Sequence, residues 1–158
     1  AYWIGNELLE TVSMKEFYDH LMEGQGLKKR FKQKDLKRIV GKVPAGARVH
    51  HSFHVFNIWS RTGHEARLHT VETMDSCRIS AGEVVDFGNV KTNKLIYQHG
   101  QLSFEPAIKE VQSLENGYKP GDLVTIHWNW VCEKINQKQA ENLEKYTKWH
   151  LKLANTTI

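Results

Sequence analysis

The sequence predicts an α+β protein: N-terminal helices, then a strand pair, then a small OB-like β-barrel closed by a C-terminal helix. Three observations predict it. Apolar residues recur at helical spacing through the first forty positions. From Val49 the run turns dense in β-branched and aromatic residues. Beyond Arg78, short apolar runs alternate with turn signals, and one last amphipathic segment follows. Residues 1–46 are read as a helical lobe, 47–76 as the strand pair, and 77–158 as the barrel with its closing helix, all in one compact unit.

The helical lobe has readable ends. Ser13-Met14-Lys15-Glu16 fits a capping box, in which hydroxyl and carboxylate each satisfy an orphan amide. Met14, Phe17 and Leu21 then share a face, and Gly24 and Gly26 stop the helix. A second helix is expected from Leu27 to Val40, ended by Gly41 and Pro44. In the strand region, Val49 to Trp59 forms the first strand, Arg61-Thr62-Gly63 a turn, and Ala66 to Thr73 an antiparallel return. In the barrel, Gly82 to Phe87, Leu95-Ile96-Tyr97, Leu102-Ser103-Phe104, Ala107 to Leu114 and Leu123 to Cys132 read as strands. Gln98-His99-Gly100-Gln101 reads as a hairpin turn. Asn136 caps the final helix, with Ala140, Leu143, Thr147, His150 and Leu151 inward.

Composition bounds the function. No apolar run approaches the roughly 20 residues that span a bilayer, and no secretory pattern opens the chain, so a cytoplasmic protein without a membrane anchor is expected. The chain begins Ala1-Tyr2-Trp3 without a Met, as a processed, trimmed or longer protein would. Two cysteines, Cys77 and Cys132, form no CxxC pair, which excludes a zinc ribbon or thioredoxin motif. The net charge of +4 is concentrated. Lys28, Lys29, Arg30, Lys32, Lys34, Lys37, Arg38 and Lys42 stand against Asp35, which leaves the rest of the chain net acidic. Such a segment is a solvated helix face or a docking patch, centred on Lys28, Lys29, Arg30, Lys34, Lys37 and Arg38. Phe31 is its one aromatic, which argues against single-stranded nucleic acid. Dinucleotide, phosphate-loop, nucleophile-elbow and HExxH signatures are absent, so a non-enzymatic protein is expected.

The second half of the chain carries three pieces in order: Cys77-Arg78-Ile79-Ser80-Ala81-Gly82-Glu83-Val84, then Val85-Asp86-Phe87-Gly88-Asn89, then Lys119-Pro120-Gly121-Asp122-Leu123-Val124-Thr125-Ile126-His127 with the helix entered at Asn136. They resemble the HypC/HupF family of NiFe-hydrogenase maturation chaperones, whose motifs are a cysteine followed by Gly and a valine-rich strand, a V-D-F-G-G turn, and a V-G-D-Y-V-x-V-H segment before a closing helix. The resemblance implies a small barrel that carries a dicyano-carbonyl iron fragment to a hydrogenase large-subunit precursor or another maturation protein. It assigns iron contact to Cys77 and His127, and structural roles to Gly82, Asp86, Phe87, Gly88, Gly121 and Asp122. A thiolate suits such a soft iron centre. Cys77 departs from the family in being internal, after Met74-Asp75-Ser76, and Ala81 and Asn89 replace the usual Pro and Gly. The whole chain also resembles an uncharacterised bacterial family sharing A-Y-W-I-G-N, H-H-S-F-H-V-F, D-x-C-R-I and H-L-x-L-A-N.

Two alternatives stand beside this reading. His50, His51 and His54 offer imidazoles to a metal, in a binding protein or an enzyme. On a straight strand His50 and His54 lie about 13 Å apart, so one ion would need a bulge between them. The other alternative is a barrel that binds nucleic acid through the basic segment. Strand alternation places His127 and Cys132 on opposite faces, with Cys132 among the tryptophans of the core.

Overall fold

The computed structural model describes residues 1–58, 70–113 and 117–158. The helical lobe comprises α1 (Leu8–Thr11), α2 (Met14–Asp19, running on as a π-helical turn His20–Gly24), α3 (Leu27–Arg30) and α4 (Gln33–Val40). The capping box is present: the Ser13 hydroxyl accepts from the Glu16 amide, and the Ser13 amide donates to the Glu16 carboxylate at 2.8 Å. Phe17 and Leu21 are buried, whereas Met14 on the same face is 61% exposed. The predicted Leu27–Val40 helix breaks at Phe31, whose extended backbone (φ −117, ψ 144) separates α3 from α4.

The first strand of the expected pair is replaced by helix over its described residues. His51–Phe53 is α5, which continues as the π-helical turn His54–Ile58. The predicted turn at 61–63 lies outside the described residues, as does most of the return strand. From Val71 to Cys77 the chain is α6, capped by Thr70. The sequence misleads here for a physical reason. All but His54 of residues 50–58 are buried, polar and apolar alike, so the segment has no solvent face and shows neither helical nor strand periodicity.

Five strands follow: β1 (Ser80–Asp86), β2 (Asn89–Gln98), β3 (Gln101–Glu110), β4 (Leu123–His127) and β5 (Trp130–Lys134). They pair antiparallel in the order β3-β2-β1-β4-β5. β3 and β5 are therefore edges, and the sheet is open where a closed barrel was expected. The anticipated strand at 102–104 and residues 107–110 of the one at 107–114 merge into β3, which accommodates Pro106 because it is an edge. The anticipated strand Leu123–Cys132 is instead the β4–β5 hairpin, reversed at Trp128 and Asn129, both at positive φ. Cys132 is consequently exposed and not a core residue.

Helix α7 (Gln137–Asn155) closes the fold, entered through a second capping box at Asn136 and Gln139. Its buried face touches α5, β1 and β3. One core cluster joins Phe17, Leu21, Leu27 and Ile39 of the lobe to Phe53, Ile58 and Leu153. A second joins Val55, Phe56, Met74 and Cys77 to Leu95, Leu102 and Leu151. A third, of Val84, Val90, Val124, Ile126 and Val131, lies within the sheet. The residues at 51–58 thus enter both of the first two clusters.

Buried polar groups fix α5 against α7. The Arg48 amide donates to His150 Nε2 (3.1 Å), so His150 Nδ1–H donates to Ser52 Oγ (2.8 Å). The Ser52 hydroxyl then donates to His50 Nδ1 (2.7 Å). Asn57 bridges the Lys42 ammonium (2.7 Å) and the His150 carbonyl (3.1 Å). Burial holds His50 at about 4 and His150 well below the ordinary histidine range. Both rings are therefore neutral in the fold, while unfolded they accept protons below about pH 6.5. The stability this network contributes is complete above about pH 6.5 and declines as pH falls from there toward 4. Urea midpoints measured at pH 7.5 and 5 should fall at the lower pH, with the unfolding free energy reduced by up to about 1.4 kcal/mol per pH unit below 6.5 for each ring. Equal midpoints would contradict the buried neutral pair.

Candidate metal centre

The site forms where three separate stretches of chain end. His51 opens α5, Cys77 closes α6, and His127 closes β4. One donor atom from each lies within 4.8 Å of the others, the one such His, Cys and carboxylate grouping among the described residues. His51 and Cys77 are buried, and His127 is half-buried.

Local backbone contacts bring the three together. The Trp128 amide donates to the Ser76 carbonyl (2.8 Å), which ties the β4–β5 turn to the end of α6. The His51 amide donates to the Tyr2 carbonyl (2.9 Å), which lays the N-terminal segment against α5. The His51 and His127 rings stand nearly perpendicular with centroids 5.8 Å apart. His51 Nε2 lies 2.8 Å from the Cys77 carbonyl and 4.0 Å from its sulfur.

A carbonyl only accepts, so His51 Nε2 carries the proton in this contact and Nδ1 carries the lone pair. That Nδ1 is buried without a hydrogen-bond partner, and so is Nε2 of His127. Buried orphan nitrogens are uncommon. Ligation through Nε2 of His51, the atom near the sulfur, moves the ring proton to Nδ1. Tetrahedral coordination by one sulfur and two nitrogens sets donor–donor edges of about 3.3–3.6 Å, so the three groups need to close by about an ångström.

Without a cation the three side chains are neutral. Burial pushes the Cys77 thiol up to about 11. Burial lowers both His51 and His127, and the Cys77 carbonyl partly offsets this in each. Arg78 does not activate the thiol. Its buried guanidinium pairs with Asp75 (2.7 Å), bonds to the Asn93 carbonyl and lies 4.7 Å over the Phe104 ring. Thiolate and imidazole together suit borderline-soft cations such as zinc, iron and copper.

The other sequence-nominated residues fall elsewhere. His50 faces Ser52 and His150 and is not brought to the centre. The His54 ring stacks on His51 at 6.4 Å. Gly82 sits where a Cβ would collide with the Val90 side chain and come within 2.8 Å of the Lys91 carbonyl, so the β1–β2 pairing requires glycine. Gly88 (φ +92) turns β1 into β2 beside Asp86, whose carboxylate accepts from Asn89 (2.7 Å). Phe87 at that turn is 92% exposed. Asp122, following Gly121, accepts from the Lys134 ammonium (2.6 Å) and the Lys119 amide (3.1 Å). In the basic segment Lys28, Lys29, Arg30, Lys34 and Lys37 are exposed, and Arg38 pairs with Asp35 (3.2 Å).

Sequence reasoning set Cys77 beside His50, His51 and His54 as one metal reading but did not join His51, Cys77 and His127 as one set, nor foresee Tyr2 and Trp3 at the site. Reading His51 on a strand hid the first. The available signal for the second was an apolar Tyr2-Trp3-Ile4 run too greasy to be a free tail. Burial and protonation together predict a quiet Cys77. A thiol-reactive disulfide reagent at pH 7 should modify Cys132 promptly and reach Cys77 only on unfolding. Equal native rates would place Cys77 in solvent.

Among the described residues no helix is long and apolar enough to cross a membrane. No curated protein and no solved structure is significantly similar to the chain. A family model matches residues 1–158 in full, and the chain therefore belongs to DUF6390, a family of unknown function.

Proposed function

We propose that this protein is a non-enzymatic accessory factor that holds a metal fragment on Cys77 and delivers it during NiFe-hydrogenase maturation. The observation that carries this reading is the convergence of His51, Cys77 and His127 on one small volume, from positions 26 and 50 residues apart in the chain. The residue-level resemblance to the HypC/HupF chaperones supports it, since Cys77 and His127 match that family's iron-contacting pair. The Gly82 and Asp86-Phe87-Gly88 positions match its strand and turn. A thiolate donor fits low-spin iron bearing cyanide and carbonyl ligands, which are the cargo in this reading. Two imidazoles beside the sulfur add donors of intermediate softness. The exposed lysines of α3 and α4 supply a cationic face for an acidic surface on the large-subunit precursor or a maturation partner.

A second reading has its own observation. Three protein donors with a fourth position left open is also the arrangement of catalytic zinc sites, and half-exposed His127 gives this centre a path to solvent. Metal identity separates the two. Infrared bands of bound cyanide and carbonyl in protein isolated from a hydrogenase-producing cell favour the carrier. Stoichiometric zinc with ester or amide hydrolysis favours the enzyme.

The test replaces the sulfur in cells. Cys77→Ala should abolish maturation of the large subunit and His127→Ala should reduce it, while Cys132→Ala leaves it intact. Full hydrogenase activity in a Cys77→Ala strain that produces the folded protein would end the carrier reading.

A further inference from the structure

The centre is bordered by tryptophan on its solvent side. Trp3 lies against both imidazoles: its ring centroid is 4.6 Å from that of His51 and 6.0 Å from that of His127. The same indole is 50% exposed, so it stands between the two ligand rings and water. Its neighbour Tyr2 packs edge-on to His51 at 5.7 Å. Burial raises the Tyr2 phenol, and the nearby Cys77 raises it further. The N-terminal segment therefore borders both imidazoles.

Trp128 borders the centre from the β4–β5 turn. Its ring centroid is 6.1 Å from that of His127, and it is 46% exposed. Its backbone sits at φ +50, a region that bulky residues rarely adopt. Asn129 beside it, at φ +66, is a residue type suited to that region. Glycine would suit position 128 better, and the indole is too exposed to be a core anchor. Neither hairpin geometry nor core packing accounts for a tryptophan here. Strained residues recur where a side chain must be held at a functional site.

We propose that Trp3 and Trp128 form an apolar collar over the open coordination position, so that they determine how fast the bound cation exchanges and which fourth ligand reaches it. This rests on the reading of His51, Cys77 and His127 as a metal centre. The collar is built from two distant parts of the chain, and each is hydrogen-bonded to a donor-bearing element: Tyr2 to His51, and Trp128 to Ser76 beside Cys77. Indole rings supply neither a donor lone pair nor a charge to a cation's hydration shell. They exclude water and bulky chelators while leaving room for small ligands.

The probe is cobalt(II), whose thiolate charge-transfer absorbance reports occupancy of Cys77 directly. Transfer of cobalt from the loaded protein to excess EDTA gives the release rate. Trp3→Ala and Trp128→Gly should each release cobalt about tenfold faster than the parent, as loss of outer-shell support typically does. The metal-free Trp128→Gly protein should melt no lower than the parent, because glycine accepts the left-handed backbone without strain. Phe87→Ala, at the opposite end of β1, should leave release unchanged. Cobalt bound normally but released at the parental rate in both tryptophan variants would overturn the collar and leave the metal reading standing. Absence of the charge-transfer band in the parent would overturn the metal reading and the collar with it.

Discussion

The hydrogen bond between His150 and Ser52 is the interaction around which this fold is arranged. It lies where α5 meets α7, and both helices contribute residues to the first two core clusters. A helix buried on every side cannot direct its polar groups to water, so each needs a partner inside the protein. Asn57, Ser52 and His150 answer that need with one connected set of contacts. The set fixes the rotation of α5 about its axis. That rotation sends His50 toward α7 and His51 toward Cys77, although the two are adjacent in sequence.

From this follows the character of the site. A thiol kept protonated and two imidazoles kept neutral form a centre with donor atoms but no resident charge. Among the described residues no carboxylate, which would favour hard cations, joins the cluster. The nearest fixed cation in sequence, Arg78, is held elsewhere by Asp75 and Phe104.

The elements legible in the sequence were those with an exposed face or a capped end. Ser13, Asn136 and the Gly100 hairpin were read correctly because their signals are local. The inward face of α7 was legible because its opposite face is charged. The 51–58 segment was not, since burial on all sides erases the period that separates helix from strand. The β4–β5 reversal was hidden for another reason: Trp128 and Asn129 make the turn without glycine, and a tryptophan there imitates a strand residue. Cys77 and His127 were nominated through motif resemblance and prove to be neighbours. Their third partner depended on an element whose type the pattern could not reveal.

The spacing of the three donors carries a consequence for biogenesis. His51, Cys77 and His127 belong to segments that meet only through tertiary packing, and the last of them arrives with the β4–β5 hairpin. A chain still emerging from the ribosome, with Cys77 exposed but His127 not yet synthesised, presents an isolated thiol and no assembled pocket. Local helices close within microseconds, whereas pairing across such separations waits for the sheet to form. The centre is thus the product of a folded sheet, and capture of an ion there would require the β4–β5 hairpin to be in place.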